Sequence, residues 1–294
     1  MTGDREARGS AHLRRWHRSP AIRLTLAVHA MSLLALAVQP GLWPWVATAL
    51  AANHLVLIGG VFSLRGRLLG PNLSRLPAAV AGGGAVVLTF DDGPDPEITP
   101  QVLDLLDRYR MKASFFCIGE KAAAFPGIVQ EIVRRGHSVE NHSHRHSPAF
   151  AFYGSARLAR DVDAAQAIIV AHTGRAPAFF RAPAGFRSPL LDPVLATRGL
   201  RYVSWTRRCY DTVCKDPRVA LGRLTLGLAA GDILLLHDGG SARTPEGQAM
   251  VLAVLPSLLE TLASERLRSV ALPECFLTRD ANLHASALDG SALS

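Results

Sequence analysis

Two adjacent carboxylates, Asp91 and Asp92, stand where an apolar run ends. Ala85-Val86-Val87-Leu88 leads into Thr89-Phe90-Asp91-Asp92-Gly93-Pro94-Asp95. The run reads as a short buried strand, and Gly93-Pro94 as the turn that stops it. Carboxylates at a strand's C-terminal end stand where α/β folds build their sites. Further on comes Glu140-Asn141-His142-Ser143-His144-Arg145-His146. His142 and His146 are four apart, and one helical turn would bring both imidazoles to one face. Two neutral imidazoles with one carboxylate, from Asp91 or Asp92, suit Zn²⁺ or a similar divalent ion and leave a coordination position for water. His144 falls between the pair and points elsewhere, as a bystander or a support for the ligands.

Three more stretches offer acid–base or electrostatic groups. In Arg181-Ala182-Pro183-Ala184-Gly185 a fixed guanidinium can pair with a carboxylate that must stay ionised. The Pro and Gly there shape a backbone whose N–H can face a developing oxyanion. Asp211 follows the apolar Tyr202–Trp205. In Leu234-Leu235-Leu236-His237-Asp238 an apolar strand ends in a histidine fit to act as a general acid.

The elements that must hold these groups alternate. Strands are expected at Val86–Phe90, Ser114–Ile118, Ser138–Asn141, Ala178–Arg181, Tyr202–Trp205, Ile233–Leu236 and Ser269–Leu272. Helices are expected at Pro100–Tyr109, Lys121–Arg135, Ala156–Ala171, Leu190–Thr197, Pro217–Leu228 and Pro245–Ser264. This order predicts an α/β fold with a parallel sheet, closed into an irregular (β/α) barrel, with an open doubly wound sheet as the alternative. All five chemical stretches then share one address, the ends of successive strands.

The set Thr89-Phe90-Asp91-Asp92-Gly93-Pro94, His142-x-x-x-His146, Arg181-x-Pro-x-Gly185, Asp211 and Leu235-x-His237 resembles the polysaccharide deacetylase family, also called the NodB-homology domain or carbohydrate esterase family four. The resemblance covers about residues 84–275. It implies a distorted (β/α) barrel of about seven parallel strands and a hydrolase that removes the acetyl group from an N-acetylated amino sugar. By the resemblance Asp91 is the catalytic base, Asp92, His142 and His146 bind a divalent metal (Zn²⁺, with Co²⁺ or another ion as alternatives), and His237 is the acid. Arg181 orients Asp91, Asp211 orients His237, Leu235 lines the acyl pocket and the Ala184 N–H serves the oxyanion. Two departures bear on the substrate. The family often has an aromatic residue at the position of Ala184 and a Trp at that of Thr212, so aromatic surface for sugar packing is reduced here. A deformylase or deacylase of a lipid-linked amino sugar is the second reading, and a non-catalytic sugar- or lipid-binding module the reading from another class.

The N-terminal part is of a different kind. Over 294 residues the net charge is +8, with arginines concentrated near the start. No aromatic–basic interleaving points to nucleic acid. From Leu24 to Leu64 there is no Asp, Glu, Lys or Arg, and Pro40-Gly41-Leu42-Trp43-Pro44-Trp45 divides the run. Each half approaches the about 20 residues that cross a bilayer, so 21–64 is expected to be a transmembrane helical hairpin. A cleaved signal peptide is the rival. Arg14, Arg15 and Arg18 before the hairpin, with Arg65, Arg67 and Arg75 after it, put both ends and the catalytic domain in the cytoplasm by the positive-inside rule. The organisation expected is thus a basic segment 1–20, the hairpin, a linker 65–83, a catalytic domain 84–275 and a flexible tail 276–294. His29, His54 and Asn53 fall at membrane depth and are expected to sit shallow or pair across the hairpin. The four cysteines form no C-x-x-C pair and read as free thiols.

Overall fold

The computed structural model describes residues 16–276. Residues 1–15 of the basic N-terminal segment and residues 277–294 of the expected tail lie outside the described residues. Eight strands make one curled sheet: β1 (Ala85–Asp91), β2 (Ala113–Cys117), β3 (Ser138–Asn141), β4 (Phe179–Phe180), β5 (Arg201–Tyr202), β6 (Arg207–Arg208), β7 (Ile233–His237) and β8 (Arg268–Ser269). The order is β5-β4-β3-β2-β1-β7-β6, with β8 against the start of β1, and every ladder is parallel. The expected strand Tyr202–Trp205 is instead two short ladders in one continuous segment. Its first part pairs with β4 (Phe180 opposite Tyr202) and its last with β7 (Arg208 opposite Leu235). That change of partner brings the two ends of the sheet together in a distorted barrel.

β1 is apolar without alternation because both its faces are buried. Val86, Leu88 and Phe90 join the outer core, with Phe115, Leu234 and Leu236 and with the helices Ile98–Arg108 and Met250–Ser264. Ala85 and Val87 face the interior, among Phe116, Phe179, Val203 and Ile233. Thr89 and Asp91 continue that inner face upward as polar residues, so the barrel's dry floor ends in a polar layer.

The helix Ile98–Arg108 begins before the expected Pro100, because the Asp95 carboxylate accepts from the N–H groups of Glu97 and Ile98, each at 2.9 Å. The helix expected over Lys121–Arg135 is two, Gly119–Ala124 and Pro126–Arg134, since Pro126 cannot continue a helix but starts one well.

Residues 20–62 fold as two helices, Pro20–Val38 and Trp43–Phe62, joined by a tight turn. Both are long and apolar enough to cross a membrane, with mean hydropathies of 1.9 and 1.6, and little of either is buried. Their polar groups meet each other. Thr25 Oγ1 donates to Asn53 Oδ1 at 3.2 Å, and the His29 and His54 rings pack edge to face, 5.8 Å between centroids. Each ring's Nδ1 bonds the carbonyl four residues back, on Thr25 and Leu50.

The residues expected as a linker, 65–83, are tied to the barrel. Leu73 adds to the edge of β5 through Leu73 N–H to Tyr202 O and Ser204 N–H to Leu73 O, both at 3.0 Å. Arg75 and Arg207 converge on the buried Asp232. Arg187, itself buried, donates to Gly70 O at 3.0 Å.

At the base of the sheet the Ala113 N–H donates to His137 Nδ1 at 3.2 Å, linking the starts of β2 and β3. Burial, aided by the Lys112 charge, pushes the His137 imidazole down to about 4. The folded state therefore resists protonation that the unfolded chain accepts. The stability this neutral ring contributes is complete above about pH 6.5 and lost as pH falls through 4. His137→Gln keeps an acceptor for Ala113 and removes the titration. Urea unfolding should show the difference between wild type and variant constant above pH 7 and moving by about 3 kcal/mol against wild type by pH 4.

Candidate active site

The loops above the strand ends carry the predicted residues together. Arg181, just after β4, is fully buried, and its side chain runs under the site. Nη1 donates to Asp91 Oδ1 at 2.6 Å and to Thr89 Oγ1 at 2.9 Å, Nε to Val203 O at 3.3 Å and Nη2 to Ser204 O at 3.1 Å. The guanidinium lies over the Phe116 ring, 4.1 Å from its centroid, with Trp205 at 5.7 Å. This fixes Asp91 Oδ1 and leaves Oδ2 facing His142 Nε2 at 3.8 Å.

Asp92, His142 and His146 form a compact cluster, their ligand atoms all within 4.8 Å of one another. Asp92 Oδ1 is 3.2 Å from His142 Nε2 and 3.0 Å from His146 Nε2. The two histidines are not on a helical turn as expected from their spacing. They converge through a loop with Ser143 at φ 67° and His146 at φ 48°. Asn141 and Ser143 hold that loop: Asn141 Oδ1 accepts from Ser143 N–H at 2.9 Å, and Ser143 Oγ from His146 N–H at 3.0 Å. Asn141 Nδ2 is anchored in turn on Val162 O and Gln166 Oε1. An Asn and a Ser interleaved with the histidines are the signal that could have announced a turn, since both bond nearby backbone. His144 points away, its Nδ1 buried against the start of the helix Gly119–Ala124 near Glu120.

The donor set fits a cation. His142 Nδ1 bonds the Arg181 carbonyl at 2.9 Å, so this nitrogen carries the hydrogen and Nε2 of the neutral ring is a lone pair. That lone pair faces a carboxylate oxygen at hydrogen-bond distance, and two acceptors so placed need positive charge between them. The buried Asp92 Oδ1 accordingly has no hydrogen-bond donor. Burial alone would lower the His142 imidazole, but the charges of Asp91 and Asp92 outweigh it and move it up. Burial would raise Asp92, but His142 and His146 hold it well below the usual carboxylate range. Both directions express the same demand for a cation.

Across the site, His237 ends β7 in register with Asp91 on β1. The fully buried Asp211 grips it twice, Oδ1 with Nδ1 at 2.7 Å and Oδ2 with its backbone N–H at 2.8 Å. Burial would lower the His237 imidazole, yet the Asp211 hydrogen bond and the charges of Asp211, Asp91 and Asp92 carry it upward. Leu235 is buried, in register with Thr89, two residues below His237 on the same face. Ala184 is exposed on the loop above β4 at φ 53°, followed by Gly185, where a Cβ would strike the Trp205 ring at 2.7 Å.

Three residues not singled out from the sequence complete the frame. Lys121 Nζ donates to Asp92 O at 2.7 Å. Thr99 donates to Asp238 Oδ2 at 2.6 Å and accepts from Asp95 N–H, so the loops after β1 and β7 are pinned together. Burial pushes the Asp238 carboxyl up to about 7. The two loops interlock so closely that a Cβ on Gly93 would lie 2.3 Å from Asp238 Oδ2, and one on Gly239 2.0 Å from Asp92 O. An acidic residue just beyond a strand-end histidine and a glycine just beyond the paired carboxylates were the available signals.

A family model described as polysaccharide deacetylase matches residues 79–203. The chain is similar to a peptidoglycan-N-acetylglucosamine deacetylase of Bacillus cereus, 31% identical over 191 residues, 64% of this chain and 86% of that protein. A chitooligosaccharide deacetylase of Sinorhizobium fredii is 35% identical over 168 residues, 57% and 78% of the two chains. Among solved structures, a family 4 acetyl xylan esterase from Clostridium thermocellum, in complex with a cobalt ion, superposes with a TM-score of 0.59 at 30% identity, over 67% of this chain and 92% of that one.

The cluster should bind one Zn²⁺ or Co²⁺ per chain by isothermal titration calorimetry. Asp92→Ala and His142→Ala should each weaken binding more than about 100-fold, while His144→Ala stays within a few-fold of wild type. Equal losses for His142→Ala and His144→Ala would refute the ligand assignment.

Proposed function

We propose that this chain, which belongs to the polysaccharide deacetylase family, removes the acetyl group from N-acetylglucosamine units of a glycan by metal-assisted hydrolysis. The observation that carries the reading is the Asp92–His142–His146 cluster beside Asp91, with His237 level with Asp91 on the adjacent strand as the second acid–base candidate. A divalent ion held by the cluster supplies Lewis acidity to a water and to the amide carbonyl.

The protein's own groups account for the proton movements. Asp91, with Oδ1 held by Arg181, offers Oδ2 as general base to the attacking water. The amide carbon becomes tetrahedral, and the Ala184 N–H donates to its developing oxyanion, a contact worth roughly 3 kcal/mol when removed from such sites. His237 holds one hydrogen on Nδ1 against Asp211, so as imidazolium it has its Nε2 proton to give to the leaving amine. Leu235, below His237, gives the acetyl methyl an apolar wall. The C–N bond then breaks, yielding acetate and the free amino sugar.

We read the two apolar helices as a membrane hairpin, as their length, hydropathy and exposed Leu33, Val38, Trp45 and Leu55 support. One contact favours a lipid-linked amino sugar as a second substrate reading. Phe62, which ends the second helix, packs edge to face on Phe186 at 5.2 Å, just beyond the Ala184 loop. An anchor that abuts the oxyanion loop suits a substrate held at a bilayer surface. A non-catalytic binding module has less support, because every acid–base and metal residue of the family pattern is present.

Amine release from N-acetylglucosamine oligomers should require added metal, and Asp91→Asn should lower kcat/KM by about 10²–10⁴-fold with metal binding intact. Full activity of that variant would overturn the base assignment. The general acid must be protonated, so kcat/KM should fall as pH rises through the raised His237 pKa. Asp211→Asn removes the charge that raises it and should move this alkaline limb to lower pH. A limb left in place would remove Asp211 from that role.

A further inference from the structure

Where the first helix, Pro20–Val38, meets the barrel, the chain encloses a cleft of about 560 Å³. Four arginines line it: Arg18 and Arg23 flank the start of the helix, Arg67 comes from the segment after the hairpin, and Arg201 from β5. Leu73 and Tyr202 supply an apolar side. Among the described residues no Asp or Glu lines it. Arg23 Nε reaches back to the Arg18 carbonyl at 2.9 Å, and Arg201 lies over the Phe276 ring at 4.6 Å. The helix's first turn also forms part of the wall, and its dipole adds positive potential. The cleft is braced, because the Ala21 N–H bonds Leu68 O at 3.2 Å and Arg187 holds Gly70.

Arginines beside a membrane span ordinarily need no explanation beyond topology. Arg201 does not fit that account, since it belongs to the barrel and is far from the span in sequence. Arginines from three separate stretches line one concavity that has no carboxylate in its lining, an arrangement that fits a phosphate, which guanidinium binds bidentately. Its position at the foot of the hairpin selects the source of the phosphate.

We propose that this cleft binds the phosphate headgroup of an anionic membrane lipid, holding the barrel in a fixed pose on the bilayer. The inference rests on the membrane reading of the hairpin and is independent of the deacetylase reaction. Basic residues facing an anionic leaflet contribute enough that losing each should weaken binding about five-fold.

The test uses the full chain in detergent micelles, titrated separately with phosphatidylglycerol and phosphatidylcholine, with adducts read by native mass spectrometry. The expected result is one retained phosphatidylglycerol per chain, at least tenfold tighter than phosphatidylcholine. Arg18→Gln/Arg67→Gln/Arg201→Gln should abolish the preference, while Arg175→Gln, outside the cleft, should keep it. Should the triple variant lose its fold by circular dichroism, the pair Arg18→Gln/Arg67→Gln, outside the barrel strands, carries the test. Equal retention of the two lipids, or a preference that survives the substitutions, would overturn the proposal. So would an inorganic phosphate adduct, abolished by the same substitutions, with no preference between lipids, since the site would then serve free phosphate. Release of the chain from membranes by alkaline carbonate would remove the hairpin premise and this inference with it, leaving the deacetylase reading untouched.

Discussion

The site depends on one buried ion pair. Arg181 and Asp91 are almost wholly removed from water, and at such depth a charge is tolerable only if paired and hydrogen-bonded. The guanidinium draws its partners from three strand ends: Thr89 and Asp91 from β1, Val203 and Ser204 from the segment after β5, and the Phe116 face from β2. Removing one partner of such a pair costs about 3–5 kcal/mol, so the pair welds strands that share few ladder bonds. The same residue's carbonyl fixes the hydrogen on His142. One arginine thereby determines which oxygen of Asp91 is free and which nitrogen of His142 is bare.

Around that pair the backbone is forced into conformations that L-residues avoid. Asp92, Ser143, His146, Ala184 and Tyr210 all have positive φ, and all stand in the loops above the strand ends. Each such residue costs on the order of 1 kcal/mol. Most of the outlay falls where side chains must converge at a point; among the described residues the two other non-glycine positions of this kind, Arg110 and Arg266, each follow the end of a helix.

Much of this was legible in the sequence. The paired carboxylates, the two histidines, Arg181, Asp211 and His237 each follow an apolar run, and seven such runs separated by helical periods point to a parallel barrel. What was misread has common physical causes. The His142–His146 spacing has a helical and a looped solution, and only the Asn141 and Ser143 side-chain bonds select the loop. The strand expected after Leu200 divides because it leaves one neighbour for another, a property of barrel closure and not of local residue type. Asp238 and Thr99 escaped notice because their contact spans most of the domain in sequence. The hairpin's apolar runs were plain, whereas the docking of residues 65–83 rests on Leu73, Arg75 and Gly70, whose partners lie more than a hundred positions away.

That docking has a consequence for how the protein can be handled by a cell. Leu73 covers the edge of β5, and Arg75 shares Asp232 with Arg207. A cut between Arg75 and Ala85 that released the preceding segment would not leave a complete barrel. It would bare an unpaired strand edge, the surface that recruits other strands and leads to aggregation, and strip a buried carboxylate of one of its two cations. The folded unit of the barrel therefore begins near Gly70 and not at Ala85, and a fragment starting at Ala85 lacks part of its own fold.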